Sequence, residues 1–338
     1  MKRREFLIST TALAGAMSMS TTSVWAQAAR LARIGVSSGN FAAIIKTGAG
    51  PEPASPARTL DFLDLPQMVA DKFGVRNLEL NQSQFVWTEA SYLKDLKDRV
   101  AKARSAIVQI NTDFQASNVS VAGFSGRAQG IDLAKQWIDH AETLGCPRVQ
   151  VTLGSVDGAG RAQTIDGLKI LSAYGKAHKV NVIIDNRDDG TVVAPPPAPP
   201  APAAPPAAAG ARGAAAAGAG GAAAGGAQGR GGGGAGGGRG GGPVVPATWQ
   251  TLVEIAKAAG VNVCPDLGGF PSEAERVAGL KALYPLSDGT SRVRMNAKID
   301  LAAAIKISKD AAYKGVYTIV ADGDAGTKAA LDALLKLI

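Results

Sequence analysis

The sequence predicts an α/β protein of the (β/α)8 barrel, or TIM barrel, class, and three observations support this prediction. Short β-rich segments alternate eight times with amphipathic helical segments, which is the pattern of a parallel sheet with crossover helices. Without two segments of unusual composition, the chain of 338 residues has 259 left, close to the ~250 of one such barrel. The turn Ser37-Ser38-Gly39-Asn40 is not G-x-G-x-x-G, so nothing indicates an open dinucleotide-binding sheet or a nucleotide cofactor.

The predicted strands are short apolar runs bounded by turn residues or helices. They span residues 32–37, 76–80, 106–111, 149–152, 181–185, 261–264, 292–296 and 316–320. The predicted helices carry apolar residues at helical spacing, as in the Leu93, Leu96 and Val100 series. They span residues 60–73, 89–105, 130–144, 165–178, 249–259, 272–283, 301–312 and 327–338. Gly74 and Gly145 follow the first and third helices, where a left-handed residue commonly terminates a helix.

The first 26 residues have the order of an export signal. Lys2-Arg3-Arg4 precedes an alanine-rich apolar stretch, and Val24-Trp25-Ala26 offers small residues at the positions that a signal peptidase reads. This order resembles a twin-arginine signal. A membrane anchor is the alternative, but the apolar run is shorter than the ~20 residues that a spanning helix needs. We therefore expect a periplasmic or otherwise exported protein that uses the twin-arginine export machinery and has no stable membrane span in its mature form.

Residues 194–246 consist almost entirely of Ala, Gly and Pro. Such a segment has too little bulky apolar surface to offset the entropy of ordering, so we expect a disordered insertion. It divides one barrel domain into residues 32–193 and 247–338, and it leaves the barrel after the fifth strand, at the carboxyl-terminal face. The segment is interpreted either as a tethered cover or surface-adhesive region, or simply as a tolerated loop expansion.

The charge and the cysteines exclude several classes of function. The net charge is +8, but the signal contributes +2 and the insertion +3, which leaves +3 for the barrel. A charge this low gives no basis for a nucleic-acid partner. The two cysteines, Cys146 and Cys264, cannot form a disulfide framework and do not match a zinc pattern. We interpret Cys264, in the middle of a strand, as a small buried hydrophobe.

Four segments in order resemble the sugar phosphate isomerase/epimerase group of xylose isomerase-like TIM barrels. Residues 131–147, ending in Leu144-Gly145-Cys146-Pro147, resemble the helix and turn before the fourth strand of that family. Residues 264–271, Cys-Pro-Asp-Leu-Gly-Gly-Phe-Pro, resemble its sixth-strand segment, and residues 315–319 resemble its last strand. Leu78-Glu79-Leu80 is similar to its second strand. The resemblance covers most of the barrel outside the insertion.

The resemblance implies a site at the ends of strands five to eight, where the family holds one divalent metal ion with Glu, Asp, His and Glu. Oxygen-rich ligands with one imidazole suit Mn, Mg, Co or Zn. Asp185 stands where the family has its first Glu, and Asp266 matches the second ligand. Asn296 replaces the His, and Val320 replaces the last Glu. Asp185 and Asp266 are therefore the candidate metal ligands.

Polar residues at the predicted strand ends complete the candidate site. The candidate catalytic residues are Glu79, Asp185, Asp266 and Lys298, and the candidate substrate-binding residues are Asn81, Gln150, Arg187, Asn296 and Asp322. Asp322 lies two residues beyond Val320, so it has the same side-chain direction along an extended strand. Asp185 and Asp266 could instead form salt bridges with Arg187 and Lys298. Arg292 and Arg294 are predicted either to bind an anionic group or to cap the outer rim.

Two hypotheses follow for the function. In the first, the protein is an exported enzyme that isomerises or epimerises a carbohydrate by moving a proton. Both histidines, His140 and His178, are predicted on outer helices, so the general base would be a carboxylate or Lys298. Glu79 would position or deprotonate the substrate, and Lys298 or Arg187 would stabilise the oxyanion. In the second, the protein is a non-catalytic carbohydrate-binding relative without the metal site, which Asn296 and Val320 favour.

Overall fold

The computed structural model describes residues 25–46, 58–112, 119, 124–153, 156, 158–186, 248–295 and 299–338. A short helix, α1, covers residues 25–31 and precedes the first strand. Most of the predicted export signal and all of the predicted insertion lie outside the described residues. No helix of the described ranges combines the length and the apolar character of a membrane-spanning segment.

Eight strands form one parallel sheet. They are β1 (Ile34–Ser37), β2 (Asn77–Asn81), β3 (Ala106–Asn111), β4 (Arg148–Gln150), β5 (Asn181–Asp185), β6 (Asn262–Cys264), β7 (Thr290–Arg294) and β8 (Val316–Val320). Their order is β6-β5-β4-β3-β2-β1-β8-β7. The isolated bridges Val263–Ser287 and Asp266–Arg292 join the two ends of this order. The sheet therefore closes on itself, and the predicted (β/α)8 barrel is confirmed.

A helix follows each strand of the barrel. These helices are α2 (Leu65–Phe73), α3 (Ala90–Lys102), α4 (Phe124–Leu144), α5 (Gly158–Ala177), α6 (Trp249–Ala259), α7 (Glu273–Leu283), α8 (Leu301–Asp310) and α9 (Gly323–Leu335). Each buries an apolar stripe against the sheet; in α3 the stripe is Leu93, Leu96 and Val100, as the spacing predicted. Gly74 ends α2 with φ of 67°, a conformation that glycine adopts without a steric penalty.

Several predicted boundaries were wrong, because glycine-containing segments before the predicted starts also belong to helices and because the last barrel strands pair in a different register. Helix α4 begins at Phe124 rather than at Gly130, and α5 begins at Gly158 rather than at Ile165. A glycine inside a helix costs only about 1 kcal/mol relative to alanine, which is small against the packing of helices of 21 and 20 residues. Strand β7 covers Thr290–Arg294 rather than residues 292–296, because its pairing with β8 begins at Thr290.

The strands bury two kinds of side chain, apolar residues against the helices and polar residues in the barrel interior. Apolar strand residues such as Ile34, Leu78, Val182 and Ile184 are buried against the helices. A second set of strand residues is both polar and buried; it includes Ser37, Glu79, Gln109, Asn111, Gln150, Thr290, Arg292 and Thr318. Barrels of this class fill their interior with layers of side chains and carry their sites at the carboxyl-terminal face. The polar set therefore marks the place to look for a functional site.

Candidate functional site

A cavity of about 640 Å³ opens at the carboxyl-terminal mouth of the barrel. Strand β2 contributes Glu79 and Asn81, and β3 contributes Asn111. Arg292 and Arg294 of β7 form another part of the wall, and residues that follow β1 and β8 complete it. Because all strands run parallel, their carboxyl ends reach the same face, which is why residues so distant in sequence share one cavity.

The guanidinium of Arg292 lies at the centre of the polar layer, and the residue is only 1% exposed. Its Nε donates to Glu79 Oε1 at 2.9 Å, its Nη2 donates to Gln150 Oε1 at 3.0 Å, and its Nη1 donates to Asp185 Oδ2. Burial by itself would lower the pKa of Arg292, but the carboxylates of Glu79 and Asp185 outweigh burial and raise it. Arg292 is therefore a permanently charged cation inside the barrel.

Glu79 is the most enclosed carboxylate that Arg292 holds. Its Oε1 also accepts a hydrogen bond from Asn111 Nδ2 at 2.7 Å. Its Oε2 has no hydrogen-bond partner within the described protein, although it is buried. Buried acceptors are almost always satisfied, so Oε2, like Oγ1 of Thr318 in the same polar set, is left for a ligand or a water molecule.

Asp266 belongs to a second ion pair, closer to the rim. Its Oδ2 accepts from Nε and Nη2 of Arg294, each at 3.3 Å, and its Oδ1 accepts from the backbone N–H of Gly268 at 2.9 Å. The backbone N–H of Asp266 donates to Asn186 Oδ1 at 2.7 Å. Asp266 is fully buried, whereas the side chain of Arg294 is 37% exposed. Of the two arginines, Arg294 is thus the one that ligands in the cavity can reach.

The structure brings Asp185 and Asp266 to the ends of the neighbouring strands β5 and β6. Asp185 also accepts a hydrogen bond from Gln150 Nε2 at 3.3 Å. The two carboxylates pair with different arginines, Asp185 with Arg292 and Asp266 with Arg294. The alternative partners considered from the sequence, Arg187 and Lys298, lie outside the described residues.

The other predicted site residues take several positions. Asn81 lines the cavity and accepts from Asn111 Nδ2 at 2.9 Å. Gln150 is buried and accepts a hydrogen bond from Arg292. Asp322 is exposed at the rim of the cavity, just before α9. Asn296, like Arg187 and Lys298, lies outside the described ranges.

Asn111 was missed in the sequence, although it links two site residues. It is 2% exposed, and it donates to both Glu79 and Asn81. The available signal was its position, because it ends β3 as Asn81 ends β2. Arg292 was predicted either to bind an anionic group or to cap the outer rim. It binds anionic groups, but these are the carboxylates of Glu79 and Asp185 in the protein itself, and the sequence did not indicate these partners.

The described residues do not fit a divalent metal ion. Such an ion needs carboxylate oxygens at about 2.0–2.6 Å, and the Arg292 guanidinium occupies the position between Glu79 and Asp185. A second cation there would face the charge of Arg292 at short range. Within the described ranges, no three His, Cys, Asp or Glu side chains are grouped so that they could hold a metal.

Fold and site together define a (β/α)8 barrel with a charged, amide-rich cavity at its carboxyl-terminal mouth. Solved structures with this fold include the xylose isomerase domain protein from Planctomyces limnophilus, at 11% identity and a TM-score of 0.58 over 90% of this chain and 96% of that one. A D-tagatose 3-epimerase-like protein matches at 12% identity and a TM-score of 0.60, over 90% and 97%. The D-psicose 3-epimerase from Clostridium cellulolyticum H10, solved with D-tagatose, matches at 10% and 0.58, over 90% and 96%.

These neighbours show the fold of the chain. Several of them are epimerases of small sugars by name, including an L-ribulose 3-epimerase and a 3-keto-D-glucoside 4-epimerase from E. coli. No protein-family model matches the sequence, and no curated protein matches it significantly.

Proposed function

We propose that the protein binds a sugar or sugar derivative at the carboxyl-terminal mouth of its barrel and acts on it as an isomerase or epimerase. The observation that carries this proposal is Glu79, a carboxylate that lines the cavity with one oxygen left without a partner. The amides of Asn81 and Asn111 lie beside it. Amide and carboxylate groups can both bond to hydroxyl groups, which is what a polyhydroxylated ligand requires.

The proposed reaction begins with the removal of one proton from carbon. Glu79 Oε2 takes the proton from the carbon next to the carbonyl of the sugar; the electron pair of that C–H bond forms a C=C bond, and the carbonyl π pair moves onto its oxygen to give an enediolate. Protonation of the former carbonyl carbon, together with transfer of the hydroxyl proton of the enediolate to the former carbonyl oxygen, isomerises the sugar. Protonation of the original carbon on its opposite face, by a water molecule, epimerises it. Arg294, half-exposed in the cavity wall, would offset the negative charge on the oxygen.

A second candidate function is carbohydrate binding without turnover. The ion pairs favour it, because Glu79 and Asp266 are buried and each already contacts an arginine. A carboxylate that already accepts hydrogen bonds from a guanidinium has fewer lone pairs left to take up a proton. The cavity would then only recognise the sugar.

Proton exchange with solvent distinguishes the two functions. The protein is incubated with aldoses and ketoses in D2O, and NMR follows deuterium at the carbon next to the carbonyl. We expect incorporation with at least one sugar, and a loss of at least ~100-fold in rate in Glu79→Gln, as for removal of a general base. The exposed Glu89→Gln is the matched control and should exchange at the original rate.

Two other outcomes would contradict the proposed isomerase or epimerase activity. A sugar-dependent rise in Tm without any deuterium incorporation would establish the binding function instead. If no sugar of the panel changes the Tm and none exchanges, the assignment of this cavity to carbohydrates is wrong.

A further inference from the structure

We propose that Arg292 performs the charge-balancing task of a bound metal ion at this mouth, so that the protein is metal-independent and removal of Arg292 creates a cation site between Glu79 and Asp185. This inference concerns the resident cation of the site and does not depend on which sugar binds. It follows from the disagreement between the metal centre that the sequence resemblance implies and the side chains that the structure brings together.

The first argument is geometric. Arg292 contacts side chains from three other strands, Glu79 on β2, Gln150 on β4 and Asp185 on β5. A metal ion at a barrel mouth has the same effect, since it ties together side chains of several strands through one positive centre. The guanidinium does this with N–H donors in a fixed plane, which match carboxylate oxygens well.

The second argument is electrostatic. Glu79 and Asp185 are 1% and 9% exposed in their side chains, and two carboxylates that are removed from water and share one partner need a compensating charge. Arg292 supplies one positive charge permanently, because it does not lose its proton. With Arg292 present, a divalent ion would add positive charge where the carboxylates are already engaged. Without it, the same carboxylates would be two converging oxygen ligands.

A role for Arg292 that is limited to filling space in the barrel predicts a different affinity of the variants for metal ions. If Arg292 only occupied volume in the barrel, an apolar residue of similar length would replace it without creating affinity for metals. The gain of a metal site in a variant is therefore a readout that filling alone would not produce.

The inference also explains the free oxygen of Glu79, a step that rests on the proposed function. Arg292 Nε and Asn111 Nδ2 both bind Oε1, so the carboxylate is held with Oε2 left over. Arg292 thereby acts as a positioning residue that keeps Glu79 oriented toward its ligand.

The test is a titration of the chelator-treated protein with Mn²⁺, followed by calorimetry and by the electron paramagnetic resonance signal of free Mn²⁺. The original protein should bind no stoichiometric Mn²⁺ up to 1 mM (roughly the weak limit of protein affinities for such hard cations). Arg292→Met should bind one equivalent at least ~10-fold more tightly than this limit, and the added change Asp185→Asn should abolish that binding. Arg294→Met keeps Arg292 and should behave like the original protein.

One equivalent of Mn²⁺ on the original protein, lost in Asp185→Asn, would overturn the proposal. So would an Arg292→Met protein that folds, as judged by circular dichroism, and gains no affinity. If Arg292→Met does not fold, the original protein and Arg292→Lys decide, because both keep the positive charge and should bind none. The assay contains no sugar, so failure of the carbohydrate assignment leaves its outcome unchanged.

Discussion

Arg292 and Arg294 lie two residues apart on β7 and project to the same side of the sheet, yet they experience different surroundings. Arg292 is enclosed and binds the deeper carboxylates, whereas Arg294 is 37% exposed and binds Asp266. Depth along the barrel explains the difference, since two residues of a strand span ~6–7 Å. One arginine therefore organises the interior, and the other remains available at the cavity.

Cys264, which pairs with Asp185 in the register of β5 and β6, leads to a prediction about alkaline pH. Burial raises the pKa of the Cys264 thiol from 9.0 to about 12, so the folded protein holds this proton more tightly than the unfolded chain. The stabilisation is complete below pH 9 and is lost as the pH rises from about 9 to about 12. The free energy of unfolding should thus fall across this range.

Urea unfolding at several pH values between 8 and 10.5 checks this. In the original protein the unfolding free energy falls with pH partly because Cys264 releases a proton on unfolding. In Cys264→Ala this fall should be shallower by up to about 1.4 kcal/mol per pH unit, which is the contribution of one proton. Cys146→Ala should lower the slope in the same way, because burial also raises the pKa of Cys146 to about 12. An unchanged slope in both variants would show that neither thiol is protected from ionisation.

At the scale of elements, the loop between β6 and α7 joins the site to the helix layer. Asn186, just after β5, binds this loop through Asp266 and through the carbonyl of Gly269 at 3.2 Å. At Gly268 an added Cβ would lie 2.8 Å from the Cβ of Arg294, so the loop has no room for a larger residue. The loop then ends at Ser272, which caps α7.

The cap predicts a measurable loss of stability. Ser272 Oγ accepts from the backbone N–H of Glu275 at 3.2 Å, which satisfies one of the free donors at the start of the helix. Ser272→Ala should lower the free energy of unfolding by about 1 kcal/mol, measured by urea denaturation. Ser272→Thr keeps the acceptor and should lie within a few tenths of a kcal/mol of the original. Equal losses in both variants would indicate that the hydroxyl does not act as a cap.

At the scale of the whole molecule, the closure of the barrel coincides with the site. Strands β6 and β7 meet through isolated bridges, one of which pairs Asp266 with Arg292. The backbone N–H of Arg292 donates to the carbonyl of Pro265 at 2.8 Å, and the N–H of Leu267 donates to the carbonyl of Arg292 at 2.9 Å. Residues that carry the two ion pairs thus also complete the ring of strands, which ties the geometry of the cavity to the closure of the barrel.

The N-terminal segment leads to a prediction about the fate of the whole chain. We propose that residues 1–26 direct export through the twin-arginine machinery. Replacement of Arg3 and Arg4 by lysine should retain the precursor in the cytoplasm of a bacterial host, because the arginine pair is what the machinery reads. Cell fractionation and mass spectrometry of the N-terminus measure this, with a mature chain that starts at Gln27 expected for the original sequence. Lys2→Gln changes the charge but not the pair and should still be exported; export of the double variant at the same level would refute the proposal.

The fold class could be determined from the sequence, because the alternation of strand and helix is a local property that repeats along the chain. The positions of Glu79, Asn81, Asp185 and Asp266 at strand ends could be predicted for the same reason. Their partners could not, since Arg292 is 213 residues from Glu79 and 107 from Asp185. Only the closed barrel brings these strands together and sets the depth of each side chain. The depth decides that Arg292 lies among carboxylates, so the ion pairs of the site follow from the tertiary structure and not from a sequence motif.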